Sequence, residues 1–365
     1  MFNDLRPHAT GQAQAMESAY QRVIRSGRYI LGGEVEAFES EWAEYCEAEY
    51  CVAVGNGFDA LNMVLSAYDI ADDSFVAVPS WTCLPVWKAV LTTGALLVSV
   101  EPDDGYNVNA FNLSLHLHKH PRVKAVVLVH MYGTPIAVLK NTVDKFHEAG
   151  IRVIEDASQA HGARFVGKRV GHASDATIYS FYPTKNLGAY GDGGAITTND
   201  NVLARRLRKM RNYGGSGFGI NSRLDELQAA FLREKLSKLD NQNDRRREIA
   251  DTYLNKLAGH PLIELPKVPS ASEPVWHQFV VKLNYRFRDR IREYLCERGV
   301  QTMIHYPVTP FDVIYHNRPS HTNIEAYNLS KEVVSLPVGP HLSDKDVEYI
   351  VDVVRRFECK CQLKI

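Results

Sequence analysis

The stretch Val153-Ile154-Glu155-Asp156-Ala157-Ser158-Gln159-Ala160-His161-Gly162 decides the fold, because an apolar, β-branched run there ends in a cluster of polar groups. So short a run, bounded in this way, reads as a strand buried on both faces. Working outward, the pattern recurs at CVAV from 51, FVAV from 75, LLVSV from 96 and KAVVLV from 124, and again at ATIYS from 176 and GGAITT from 193. Helical patterns separate these runs at 33–45, 58–67, 85–92 and 139–150, the last closed by Gly150 as a C-terminal cap. Strands alternating with helices predict an α/β architecture, a mostly parallel mixed sheet between helices. In such sheets ligands bind at the carboxyl ends of the strands, which makes the polar tip at Asp156 the first place to look for chemistry.

From 223 the pattern changes to one long, charged helix running to about 258. Its run Asp244-Arg245-Arg246-Arg247-Glu248 reads as a solvated face. A Pro-rich stretch at 261–274 is followed by a strand-like WHQFVVKL from 276, a helix at 288–298 and an amphipathic helix at 344–357. The division this implies is a large α/β domain over 1–240 and a small α+β domain over 241–365.

Composition narrows the function classes. The 365 residues carry 42 basic and 43 acidic side chains, a net charge of −1, which is not the footprint of a nucleic-acid binder. The most apolar stretch, 76–100, is broken by Lys88, Ser and Thr, and the opening MFNDLRPHAT lacks the layout of a signal peptide, so a cytoplasmic protein without membrane contact is expected. Six irregularly spaced cysteines outline neither a disulfide framework nor a zinc site. His116, His118 and His120 alternate as metal ligands on a strand would, but their polar setting before Pro121 reads as a solvated turn, and no metal is expected.

Three segments carry the chemistry. Asp156 alone reads as a helix N-cap following a strand. Lys185, in Ser180-Phe181-Tyr182-Pro183-Thr184-Lys185 ahead of Gly191-Asp192-Gly193-Gly194, alone reads as a surface lysine. Gly55-Asn56-Gly57-Phe58 is a strand-to-helix turn whose free N–H groups make an anion site. Together they are the parts of a pyridoxal phosphate site: an amine to hold the aldehyde, a carboxylate to keep the ring nitrogen protonated, and a phosphate cradle.

With those residues in hand, the sequence resembles the sugar aminotransferases of the DegT/DnrJ/EryC1/StrS group within the aspartate aminotransferase fold, type I. The matching stretches run nearly end to end: GRYILGGEVEAFESEWAEYC from 27, GNGFDAL from 55, VHMYGTP from 129, VIEDASQAHGA from 153, SFYPTKNLGAYGDGGAI from 180, NSRLDELQAAFLREKL from 221, HYPVTP from 305 and SLPVGPHLS from 335. The resemblance implies that Lys185 binds pyridoxal 5′-phosphate covalently and moves protons between substrate and cofactor. It implies that Asp156 pairs with the ring nitrogen, that Gln159 lies against the ring, and that Ser180 and the amides of Gly57 and Phe58 hold the phosphate. Asn221 is implied to come from the partner in a homodimer with composite sites. Cys83 stands where relatives carry an aromatic residue, which puts the stacking role on Trp81. Tyr29, Tyr182, His305 and Tyr306 are candidate substrate contacts.

The expected reaction transfers an amino group from glutamate to a nucleotide-linked keto-6-deoxyhexose. The form Gly55-Asn56-Gly57-Phe58-Asp59-Ala60-Leu61 resembles members acting at C3 of dTDP-3-keto sugars, with C4 amination of a 4-keto sugar as the alternative. A sugar dehydratase or a non-catalytic regulator on the same scaffold would be expected to lack Lys185 or Asp156. A nucleotide-binding oxidoreductase does not fit either, since GNGFDA is not G-x-G-x-x-G.

Overall fold

A computed structural model describes residues 2–6, 12–103, 105–117, 120–215, 217–315 and 323–361. All seven expected runs are strands of one sheet, in the spatial order Tyr50–Val54, Gly194–Thr198, Ala176–Ser180, Arg152–Asp156, Val123–Val129, Phe75–Pro79, Leu96–Val100. Six run in one direction, and Gly194–Thr198 is antiparallel to both its neighbours. This reversal has a direct effect on the site. Gly194 pairs with Val54 on one side and with Ser180 on the other, so the turns leaving those two strands flank a single glycine. A Cβ on Gly194 would lie 2.5 Å from the carbonyl of Asn56, and only a hydrogen fits there.

Side-chain alternation along these strands feeds two faces. Ile178 and Ile196 join Leu61, Met63, Val64 and Trp87 on one side. Tyr179, Phe181 and Ala195 join Phe38 and Trp42 on the other. The edge of Phe181 meets Phe38 and Trp42 with ring centroids 5.3 Å apart in both pairs, anchoring the start of the Lys185 loop in a rigid aromatic layer.

The charged pattern after 223 is not one helix but two, Glu226–Leu236 and Leu239–Lys256. The break at Ser237-Lys238 lets Leu239 turn into the apolar layer around Trp42, while Ile249 and Tyr253 enter a second cluster with Trp276, Phe279, Leu336 and Val351. Nor is the Asp244–Glu248 run wholly solvated: Arg246 is buried and donates to the carbonyls of Trp276 and Val338. The second cluster is built on an antiparallel sheet of Ile263–Glu264, Phe279–Leu283 and Val333–Leu336, covered by helices Tyr285–Cys296 and Asp344–Cys361. His116 lies in the last turn of helix Ala110–Leu117 rather than in a solvated turn, because Leu113 and Leu117 give that segment a buried face. His118 falls outside the described residues. Among the described residues no helix is long and apolar enough to cross a membrane.

Candidate active site

The strand Tyr50–Val54 ends at Gly55-Asn56, and the helix Gly57–Ala67 begins at once. Asn56 caps it, its side-chain oxygen accepting the Asp59 N–H at 2.8 Å. Ser222, far along the chain, ties the turn down: its Oγ accepts the N–H of Gly55 at 2.9 Å and donates to Asp59 at 2.6 Å. The N–H groups of Gly57 and Phe58 precede the first intrahelical bond and meet no acceptor among the described residues. Opposite them stands Ser180. A Cβ on Gly57 would lie 2.8 Å from the Ser180 Cβ and 3.5 Å from the Ser158 Oγ, so this glycine keeps open the space in front of the helix end. The result is a cradle for a phosphate ester.

Asp156 ends the strand directly beside Ala176–Ser180 in the sheet, and it is buried. No helix follows it, so it is not an N-cap. Its Oδ1 accepts the Ser158 N–H at 2.9 Å within a turn. Burial raises its pKa, and hydrogen bonds from Ser158 and the charge of Lys185 oppose that rise. It forms no ion pair among the described residues, which is costly for a buried carboxylate unless a cation comes to it. Lys185 sits in a loop pinned at several points. Its own N–H reaches the Tyr182 carbonyl at 2.8 Å, Leu187 N–H donates to His161 Nδ1 at 3.1 Å, and Asn186 donates to Asn243 and Val275. Burial lowers the pKa of Lys185, with Cys83 and Asp156 pulling the other way.

These groups line one cavity of about 420 Å³, together with Gln159, Tyr182, Thr184, His277, Gln278, His305 and Tyr306. Gln159 is fixed at both ends of its amide, accepting from Tyr132 N–H at 2.9 Å and donating to the Tyr306 hydroxyl at 3.1 Å. His305 bonds Ser335 Oγ through Nδ1 at 2.8 Å, and burial brings its pKa down to about 4. His277 is lowered for the same reason, so both imidazoles face the cavity neutral.

The cavity thus gathers Lys185, Asp156, Gln159, Ser180, Gly57, Phe58, Tyr182, His305 and Tyr306. Trp81 is a correction: it does not line the cavity. Its indole is fully buried and donates to the Tyr132 hydroxyl at 3.0 Å, so it works as a buttress, and the neighbouring Cys83 faces the cavity instead. Tyr29 and Asn221 are also outside the cavity, both exposed on the surface of the single chain. Sequence reasoning missed Ser158, Ser222 and Tyr132. The last had a readable signal, a Tyr-Gly turn directly after a strand; Tyr132 holds φ +59 there.

Pyridoxal 5′-phosphate fits what is present: an unpaired buried carboxylate, a buried amine and a preformed phosphate cradle on the carboxyl edge of one sheet. Fold and site together define a pyridoxal-phosphate-dependent enzyme of aspartate aminotransferase fold type I. More narrowly, the chain belongs to the DegT/DnrJ/EryC1/StrS aminotransferase family, which it matches over residues 12–355. It is 45% identical over 370 residues to the dTDP-3-amino-3,6-dideoxy-alpha-D-galactopyranose transaminase of Aneurinibacillus thermoaerophilus, covering 98% of this chain and 99% of that one. It is 41% identical over 367 residues to the dTDP-3-amino-3,4,6-trideoxy-alpha-D-glucose transaminase of Streptomyces venezuelae, covering 98% and 95%. The crystal structure of S. venezuelae DesV in complex with a ketimine intermediate superposes with a TM-score of 0.93 at 40% identity, covering 98% of each chain. The protein is a sugar aminotransferase.

Proposed function

We propose that the enzyme transfers an amino group from glutamate to C3 of a dTDP-linked 3-keto-6-deoxyhexose, in the cytoplasm, as a homodimer in which the partner subunit's Asn221 completes each site. The observation that carries this reading is that the relatives at 45% and 41% identity, matched over nearly their whole length, are both named for 3-amino dTDP sugars. The turn Gly55–Leu61, with an apolar Phe58 and then Asp59-Ala60-Leu61 where C4-acting members more often show Ser-Gly-Thr and a following Ala-Leu, supports the same position. The large domain over 1–240 supplies the cofactor site, and the small domain over 241–365 closes it with His305 and Tyr306.

Bound pyridoxal 5′-phosphate supplies the electron sink for the breaking C–H bond and carries the amino group between the two substrates. The protein's share follows from the residues. The Asp156 carboxylate, held by Ser158, supports a protonated ring nitrogen. The N–H groups of Gly57 and Phe58 and the Ser180 hydroxyl take the phosphate. The Lys185 Nζ, with a lowered pKa that enlarges its neutral fraction, removes the α-proton of the donor and returns a proton to the acceptor carbon. Neutral His277 and His305, with Gln278 and the Tyr306 hydroxyl, offer hydrogen bonds suited to an uncharged sugar ring.

Product NMR tests the assignment. With glutamate in excess, a dTDP-3-keto-6-deoxyhexose is expected to gain nitrogen at C3 with release of 2-oxoglutarate, and the 4-keto isomer to remain unchanged. Clean amination at C4, with the 3-keto sugar untouched, would replace the reading.

A further inference from the structure

Behind the Lys185 loop lies a second, smaller cavity of about 80 Å³ whose wall includes Thr184, Lys185, Tyr190, Lys235, Arg246 and His341. Two of these side chains carry charge with no carboxylate to meet it. Arg246 is only 8% exposed, and its Nη1 donates to the carbonyls of Trp276 at 3.2 Å and Val338 at 2.9 Å. Lys235 donates to the Gly188 carbonyl at 2.6 Å and stands 3.7 Å over the Tyr190 ring. Carbonyls accept hydrogen bonds and a ring face attracts the cation, yet they leave the unit charge uncancelled. Neither residue forms an ion pair among the described residues. The carboxylate on this wall, Asp4, is already engaged by the Arg6 guanidinium. The segment that joins Arg6 to Gln12, Pro7-His8-Ala9-Thr10-Gly11, contains no acid.

Arg246 is buried and Lys235 half-buried, and charges so withdrawn are ordinarily paired, because removing an ion from water costs more than its hydrogen bonds recover. We propose that this cavity is a binding site for one small anion, of chloride or carboxylate size, held between Lys235 and Arg246. Both residues have donors to spare: an ammonium carries three N–H bonds and a guanidinium five. The volume agrees, since a space of about 80 Å³ accommodates a chloride or acetate ion. Burial has lowered the Lys235 pKa to about 8 and the Arg246 pKa to about 10, as expected of cations without a counter-ion. Thr184 and Lys185 line both cavities, so an anion here would brace the loop that carries the catalytic lysine from behind.

The test uses the holoenzyme and three sodium salts at equal ionic strength: chloride, acetate and gluconate, the last a larger, hydroxyl-rich anion. The denaturation midpoint is expected to rise with chloride and with acetate relative to gluconate. In Lys235→Met, which removes one charge and keeps the length of the side chain, the salt difference is expected to vanish, with anion affinity reduced at least about tenfold. Crystals soaked in bromide are expected to show an anomalous peak between Lys235 and Arg246 in the native enzyme and none in the variant. Equal midpoints in all three salts, a salt difference that survives in Lys235→Met, or a carboxylate side chain of a second copy found in the cavity would each overturn the proposal.

Discussion

The indole Nε1 of Trp81 lies 3.0 Å from the phenolic oxygen of Tyr132, and this bond sets the cavity wall from behind rather than from within. Tyr132 in turn donates its hydroxyl proton to the His305 carbonyl and its N–H to Gln159. Trp81→Phe therefore removes a donor from a buried hydroxyl, worth about 1–3 kcal/mol of stability. The melting temperature is expected to fall while the dissociation constant and absorption spectrum of bound cofactor stay within about twofold. Loss of cofactor affinity by tenfold at unchanged stability would put the indole on the cofactor after all.

Gly57 offers a sharper test of the phosphate cradle. A methyl group there has to displace Ser180, whose Cβ would be 2.8 Å away and which is held in a sheet. Overpacking of this kind costs about 1–3 kcal/mol. Since the strain falls on the groups proposed to receive the phosphate, Gly57→Ala is expected to weaken cofactor binding by about tenfold in absorbance titrations of apoenzyme. Unchanged affinity would move the phosphate elsewhere.

Lys185 carries the covalent assignment. Borohydride reduction of the holoenzyme followed by peptide mass spectrometry is expected to find the cofactor on Lys185, and Lys185→Ala to lose turnover while retaining noncovalent cofactor. A reduced adduct on any other lysine defeats it.

The strands were legible because burial on both faces writes them as continuous β-branched runs; Val123–Val129 and Arg152–Asp156 need no partner to be seen. Strand direction leaves no such mark, so the reversal of Gly194–Thr198, which places Val54 and Ser180 on either side of Gly194, had to come from the structure. Two-residue strands such as Arg164–Phe165 and Lys168–Arg169 are too short to show a period. At the site, Asp156 and Lys185 were readable because chemistry restricts their residue type. Which of Trp81 and Cys83, two residues apart, faces the cavity was not, because the irregular connection between Phe75–Pro79 and Leu84–Thr92 has no period from which side-chain direction can be read. Ser222 was invisible as a support of the phosphate turn, since its partners Gly55 and Asp59 lie more than 160 residues away.

Burial of neutral histidines gives the fold a defined acid sensitivity. His161 is lowered to about 3 and His305 to about 4, first by burial and then by the charge of Lys185, and His277 moves the same way. An unfolded histidine takes its proton near pH 6.5, whereas these sites refuse it until far lower. Between pH 6.5 and 5 the unfolded chain therefore binds more protons, and stability falls as the pH falls. Asp156, with its raised pKa, acts in the opposite sense, taking its proton in the folded chain before it does in the unfolded one. Urea denaturation is expected to show a lower midpoint at pH 5 than at pH 7. His161→Gln, though less stable at pH 7, is expected to lose less over that interval, and an equal loss in both proteins would rule His161 out as a source.

Asn221 stands on the surface of the single chain, paired across an isolated bridge with Asn212, while its neighbour Ser222 is tied to the phosphate turn of its own chain. Asn221 does not line the cavity of its own subunit, yet it is next in the chain to Ser222, the group that holds the turn at 55–59. In the homodimer proposed above, each Asn221 would complete the partner's site, and closed two-fold symmetry would make the two composite sites equivalent. The arrangement predicts complementation. Lys185→Ala lacks the amine but retains a good Asn221, and Asn221→Asp retains the amine but sets a negative charge against the phosphate. Each homodimer is expected to be inactive or nearly so. Mixed and allowed to exchange subunits, hybrids form in which one site has both defects and the other has neither. About half of the dimers at equal mixing are then expected to carry one intact site, so that about a quarter of native activity returns. No recovery on mixing, with subunit exchange verified by mass spectrometry, or full activity from a monomer in sedimentation, would confine Asn221 to its own chain.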